Sequence, residues 1–111
     1  MTEAIIVQCT AASKDEARRI ARALVEAKLA ACASIAGEVE SHYRWRGAIE
    51  QATETLLLIK TTRERFDDVR RTILEHHSYE VPEIIALPVV AGHEAYLAWL
   101  AESVRGEEAE E

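Results

Sequence analysis

Leu56-Leu57-Leu58-Ile59 narrows the folds open to this chain more than any other stretch. The run sits in a strand expected over Thr53 to Thr62, and the side chains of a strand alternate between its two faces. Four large apolar residues in succession therefore require cover on both faces of a sheet. Whatever surrounds this strand must supply two apolar surfaces.

The flanking sequence reads as further elements. Ile5-Ile6-Val7 with Cys9 forms a β-branched strand from about Glu3 to Thr10. Ser13-Lys14-Asp15-Glu16 has the capping-box pattern. Behind it Ala17, Ile20, Ala21, Leu24, Val25 and Lys28 recur at helical spacing, predicting a helix to Leu29 or Ala30. Extended structure resumes at Cys32, Gly37 marks a bulge or bend, and from Glu38 the chain alternates. Val39, Tyr43, Trp45 and Ile49 fall on one face, with Glu38, Glu40, His42, Arg44 and Arg46 on the other. Arg46-Gly47-Ala48 begins the turn back.

Thr61-Thr62-Arg63-Glu64 repeats the capping-box pattern, with Thr61 as N-cap of a helix carrying Phe66, Val69, Ile73 and Leu74. That helix ends near His76 or His77, and Val81-Pro82 breaks it. A strand from Ile84 to Val90 follows, where Pro88 points to an edge or a bulge. After Gly92 a last helix carries Tyr96, Leu97, Leu100 and Val104, with Trp99 on a different side.

The order β-α-β-β-α-β plus a C-terminal helix predicts an α+β domain with a ferredoxin-like split βαβ sheet and both main helices on one face. Those helices cover half of Leu56 to Ile59, and the strand bearing Tyr43 and Trp45 reaches past a compact monomer. A symmetric oligomer with sheets packed face to face is the expected solution.

With 111 residues, 49% of them apolar, one domain is expected over residues 1–105, followed by an acidic disordered tail over 106–111. A net charge of −7 argues against nucleic acid as a partner. Two cysteines without a C-x-x-C spacing are too few for a secreted disulfide scaffold. The first residues have the pattern of neither a signal peptide nor a membrane span, so a cytoplasmic address and no membrane partner are expected. G-x-S-x-G, H-E-x-x-H and the phosphate-binding G-x-x-x-x-G-K-[ST] are all missing, so the chain is not read as an enzyme.

Several segments carry a resemblance: Val7-Gln8-Cys9-Thr10, Lys28-Leu29-Ala30-Ala31-Cys32-Ala33, Tyr43-Arg44-Trp45-Arg46-Gly47-Ala48-Ile49, Leu58-Ile59-Lys60-Thr61-Thr62, His76 to Glu83, and Tyr96-Leu97-Ala98-Trp99-Leu100. In this order, from about Glu3 to Val104, the chain resembles the CutA family of divalent-cation-tolerance proteins. The resemblance implies a homotrimer similar in architecture to PII-type signalling proteins, and a role in metal-ion tolerance. It also implies copper binding through the first-strand cysteine and a histidine pair, here Cys9, His76 and His77. Ser78 stands where many members have proline.

Two candidate sites follow. In the first, soft Cys9 and the imidazoles of His76 and His77 suit Cu²⁺ or Zn²⁺ at low affinity, with no organic cofactor. Adjacent histidines diverge on regular structure, so they converge only if the helix end unwinds there. Cys9 has an equally simple use as a small core residue, and His76 as a helix C-terminal residue. The second is a ligand cleft made of Trp45, Lys60, His77, Tyr79, Glu80 and Glu83 with Cys32, in a PII-like sensing or scaffold protein.

Overall fold

The computed structural model describes residues 2–106, so the expected tail lies, apart from Gly106, outside the described residues. Strands β1 (Ala4–Ala11), β2 (Cys32–Trp45), β3 (Ala48–Thr62) and β4 (Ile84–Pro88) form one sheet in the order β2-β3-β1-β4, every pair antiparallel. Helices α1 (Lys14–Glu26), α2 (Phe66–His76) and α3 (Glu94–Ser103) complete the predicted order.

Residues paired in an antiparallel ladder share a face. Val7 pairs with Ile59 and Cys9 with Leu57, so these four point together, and Ile20, Leu24, Val69 and Ile73 of α1 and α2 close over them. All are fully buried, each large aliphatic contributing roughly 1.5–3 kcal/mol of transfer free energy. Leu56 and Leu58 point the other way, beside Ile6, Gln8 and Lys60, and stay half-buried. On the same side of β4, Ile85 and Leu87 are exposed. Helix α3 lies against β1 and β3 through buried Leu100 and Val104. Within one chain, the demand made by Leu56 to Ile59 is met fully on the helical face alone.

The long strands decide where the site lies. Only Thr55 to Thr62 of β3 pair with β1; Ala48 to Glu54 have β2 alone as neighbour. The hairpin therefore projects, and the molecule is 51 Å along its longest axis. Its tip is a two-residue turn with Arg46 at φ 51° and Gly47 at φ 82°, the paired left-handed conformation whose twist matches the strands. Gly37 lies at the expected bulge, where the register shifts between Ile35 and Gly37.

Several local expectations are corrected. Arg44 pairs with Ile49 across the turn, so Ile49 sits on the face opposite Tyr43 and Trp45 and is exposed. β3 begins at Ala48 rather than Thr53, and β4 stops at Pro88 rather than Val90, on the sheet edge as its proline required. Thr61 does not cap α2. Its buried hydroxyl donates to the Leu29 carbonyl at 2.7 Å, and a 3-10 turn over Arg63–Arg65 separates β3 from α2. Tyr96 faces outward beside Trp99 rather than into the stripe of Leu100.

Helix α1 ends three residues early because Lys28 turns left-handed, φ 61°. The Lys28 amide donates to Val25 and the Leu29 amide to Leu24, the paired bonds that normally form around a glycine. Within the helix, Val25 lies beside the stripe of Ala17, Ile20 and Leu24 and is exposed. A side chain at this φ costs about 1–2 kcal/mol, and glycine returns part of that as unfolded-chain entropy. Lys28→Gly should raise unfolding free energy by about 0.5–1 kcal/mol in urea melts; a loss of stability would contradict this account of the helix end.

Candidate functional site

Glu16 is acidic yet 2% exposed. Its amide donates to the capping hydroxyl of Ser13 at 3.1 Å, as the capping-box pattern predicted. Its carboxylate does something the pattern does not contain. It accepts the Ala12 amide at 3.1 Å, the Ser78 amide at 2.7 Å and the Ser78 hydroxyl at 3.0 Å, linking the start of α1 to the segment after α2. Burial alone would push this carboxyl up; the Ser78 and Ala12 donors, with His77 nearby, outweigh it and hold the group below its ordinary 4.5.

His77 is locked by the same anchor. The Tyr79 amide donates to Nδ1 at 3.1 Å, so the ring proton lies on Nε2, which donates to the Thr10 carbonyl at 2.7 Å. The His77 side chain is fully buried, 3.6 Å from Glu16. Its ring tilts against Tyr79 with centroids 4.8 Å apart. Tyr79 is thus aimed at the hairpin. Burial first, and then the nearby Glu54 carboxylate, push its phenol up to about 12.

The result is a cleft of about 670 Å³ between the hairpin and residues 78–83. Tyr43, Trp45, Glu50 and Glu54 form one wall and Tyr79, Glu80 and Glu83 the other. The Gln8 amide donates to Glu83 at 2.9 Å. Arg46 bridges the mouth, its Nη2 2.9 Å from Glu80 and its guanidinium 5.2 Å from the Trp45 ring centre.

Of the cleft residues expected from sequence, Trp45, Tyr79, Glu80 and Glu83 come together. His77 stands behind them as a support. Lys60 and Cys32 pair with each other at the start of β2, where Lys60 Nζ donates to Ser34 Oγ at 2.6 Å and lies 3.8 Å from Cys32 Sγ. Trp45 closes the far end of that strand, and at about 3.3 Å per residue the two ends are roughly 40 Å apart. Within one chain they belong to different places.

The expected metal set is not brought together either. The Cys9 thiol points into the helical core, where burial, then Glu83, Glu16 and Glu54, push it up to about 12. Without a metal the thiol holds its proton, and a cation binding there would have to displace that proton inside the packed core. Both His77 nitrogens are taken, and His76 is exposed at the end of α2. Among the described residues, no three His, Cys, Asp or Glu side chains are grouped to hold a metal ion. Sequence reading missed Glu16, Tyr43, Glu50 and Glu54. Glu54 and Glu50 did carry a signal, since both fall on the Tyr43 face once the turn is placed.

A split βαβ sheet with a long hairpin bent toward an acidic, aromatic cleft defines the class of protein. Residues 5–103 match the CutA1 divalent ion tolerance protein family, and the chain belongs to that family. It is 45% identical over 98 residues to the divalent-cation tolerance protein CutA of Thermus thermophilus, covering 88% of this chain and 95% of the relative. Against the chloroplastic CutA of Arabidopsis thaliana it is 38% identical over 101 residues, 91% of this chain but 56% of that longer protein. The structure of the periplasmic divalent cation tolerance protein CutA from Archaeoglobus fulgidus superposes with a TM-score of 0.89 at 41% identity, covering 92% of this chain and 99% of that one. No helix among the described residues is long and apolar enough to cross a membrane.

The buried Glu16 anchor is exposed to test by acid. Glu16→Gln leaves amide donors facing an NH₂ group and should cost about 2–3 kcal/mol at pH 7. Because the folded carboxyl titrates below its ordinary 4.5, its stabilisation is present above that value and fades as pH falls through the folded value. Urea melts from pH 7 to 3 should show wild type losing its advantage over Glu16→Gln below about pH 4.5. Parallel acid profiles would exclude the anchor.

Proposed function

We propose that the protein serves divalent-cation tolerance as a homotrimeric, non-catalytic cation-binding protein, with Cu²⁺ first and Zn²⁺ next among metal ions. The observation that carries this is the ring of Glu50, Glu54, Glu80 and Glu83 around one cleft. Oxygen donors accept divalent ions, and copper leads the first-row series at most N/O sites. With no three ligands grouped among the described residues, the ion keeps part of its water shell, and low affinity follows. The names of the relatives, divalent-cation tolerance proteins from a bacterium and an archaeon, support the role.

The half-buried Leu56 and Leu58, with exposed Ile85 and Leu87 on the same face, support the trimer with sheets packed together. In such an assembly Lys60 and Cys32 of one protomer can approach the cleft of the next. Cys9 and Cys32 are both free and lie on opposite faces of the sheet, which accords with a reducing, cytoplasmic address. A second reading, PII-like sensing of a small ligand, is favoured by the aromatic wall of Tyr43, Trp45 and Tyr79.

Calorimetry with Cu²⁺, Zn²⁺ and Mg²⁺ on wild type, Glu54→Gln, Glu83→Gln and Cys9→Ala tests the site. Weak Cu²⁺ binding that drops in both glutamine variants and survives Cys9→Ala is expected. Binding lost only in Cys9→Ala would move the site to the core. Light scattering on the eluted protein should give three times the 12.4 kDa chain mass; a stable monomer at micromolar concentration rejects the assembly.

A further inference from the structure

We infer that the cleft takes an organic dication, an aliphatic chain with an ammonium or guanidinium at each end, in preference to a bare metal ion. The inference rests on the cleft being the cation site and names the chemical class that fits it best.

The walls combine two kinds of cation attractor. Trp45, Tyr43 and Tyr79 present aromatic rings, and Glu50, Glu54, Glu80 and Glu83 present carboxylates, against Arg44 as the lining guanidinium. An aromatic face attracts ammonium and guanidinium groups, indole most strongly. A hydrated metal ion gains little from it and wants oxygens about 2.0–2.6 Å from a common point. Grouping of that kind does not occur among the described residues. A volume of about 670 Å³ is far too large for an ion, and it falls in the range of small-molecule sites.

A cation of this class already touches two residues of the cleft wall from outside. Arg46 lies 5.2 Å from the Trp45 ring centre and 2.9 Å from Glu80. Those are the contacts an incoming guanidinium would make, and here the chain supplies the group itself. The pair is more than half exposed at both ends, so it holds weakly and is replaceable. Away from Arg46, the other cleft carboxylates form no ion pair within one chain among the described residues. Glu54 is 7% exposed and lies near Tyr79, and the Glu83 carboxylate accepts from the neutral Gln8 amide. The Glu50 side chain makes no hydrogen bond or ion pair among the described residues. One charged end of a dication would replace Arg46 at Trp45 and Glu80 while the other reaches these remaining carboxylates. Separated carboxylates suit a ligand whose two charges are themselves separated.

Calorimetry on the purified oligomer tests this with agmatine and 1,4-diaminobutane, using butylamine and Mg²⁺ for comparison. Both dications should bind, with butylamine weaker by about tenfold or more. Trp45→Ala and Glu83→Gln should each weaken agmatine by about tenfold. Arg46→Asn, which keeps a residue suited to the left-handed turn, should tighten it several-fold by removing the internal competitor. Weakening in Arg46→Asn, or agmatine binding indifferent to both Trp45→Ala and Glu83→Gln, overturns the inference. If the dications fail while Cu²⁺ still titrates in a Glu83-dependent way, the ligand class is wrong and the cation site stands. If neither binds, both fall.

Discussion

The buried carboxylate of Glu16 is the contact on which the rest of the site depends. It sits at the first turn of α1 and accepts two amides and a hydroxyl, from donors up to 62 residues away from it in sequence. Hydrogen bonds to a charged, desolvated acceptor are among the stronger ones a protein makes. Remove them and the segment after α2 has no fixed start. His77 would lose its alignment, and Tyr79 with it, so the second wall of the cleft would drift. A residue that never touches the cleft thus decides its shape.

The sheet divides the molecule's chemistry between its two faces. On the helical side everything is sealed, including Cys9, whose thiol is made inert by the same burial that makes it useful as packing. On the other side the apolar residues are half-covered and the polar ones lie at two ends: Lys60, Ser34 and Cys32 at one, the acidic cleft at the other. The hairpin connects them, and its length is why one chain cannot bring both ends together. A site using both requires a neighbouring protomer.

How far the chain could be read in advance varied with the range of the interaction. The strand and helix order, the bulge at Gly37 and the edge position of β4 follow from local chemistry, namely apolar spacing, glycine and proline. Two local patterns misled for a physical reason. Thr61 looked like a helix cap, but its hydroxyl had a nearer acceptor across the fold in the Leu29 carbonyl. Ile49 looked like a partner of Trp45 until a two-residue turn reversed the chain and put it on the opposite face. The histidine pair drew attention as metal ligands, yet His77 spends both nitrogens on backbone partners that no spacing rule could reveal.

By itself the sequence determined the order of elements, the split βαβ topology and the family, because these rest on periodicity and on motifs contiguous in the chain. It also singled out Trp45, Tyr79, Glu80 and Glu83, polar and aromatic groups near the ends of strands and helices, and the fold gathers these four in one cleft. The tertiary structure alone decided which of them meet. Whether a carboxylate is an anchor, as Glu16 is, or a cleft wall, as Glu54 is, depends on which distant donors reach it and how much water is left. Burial and long-range hydrogen bonding are set only when the chain closes on itself.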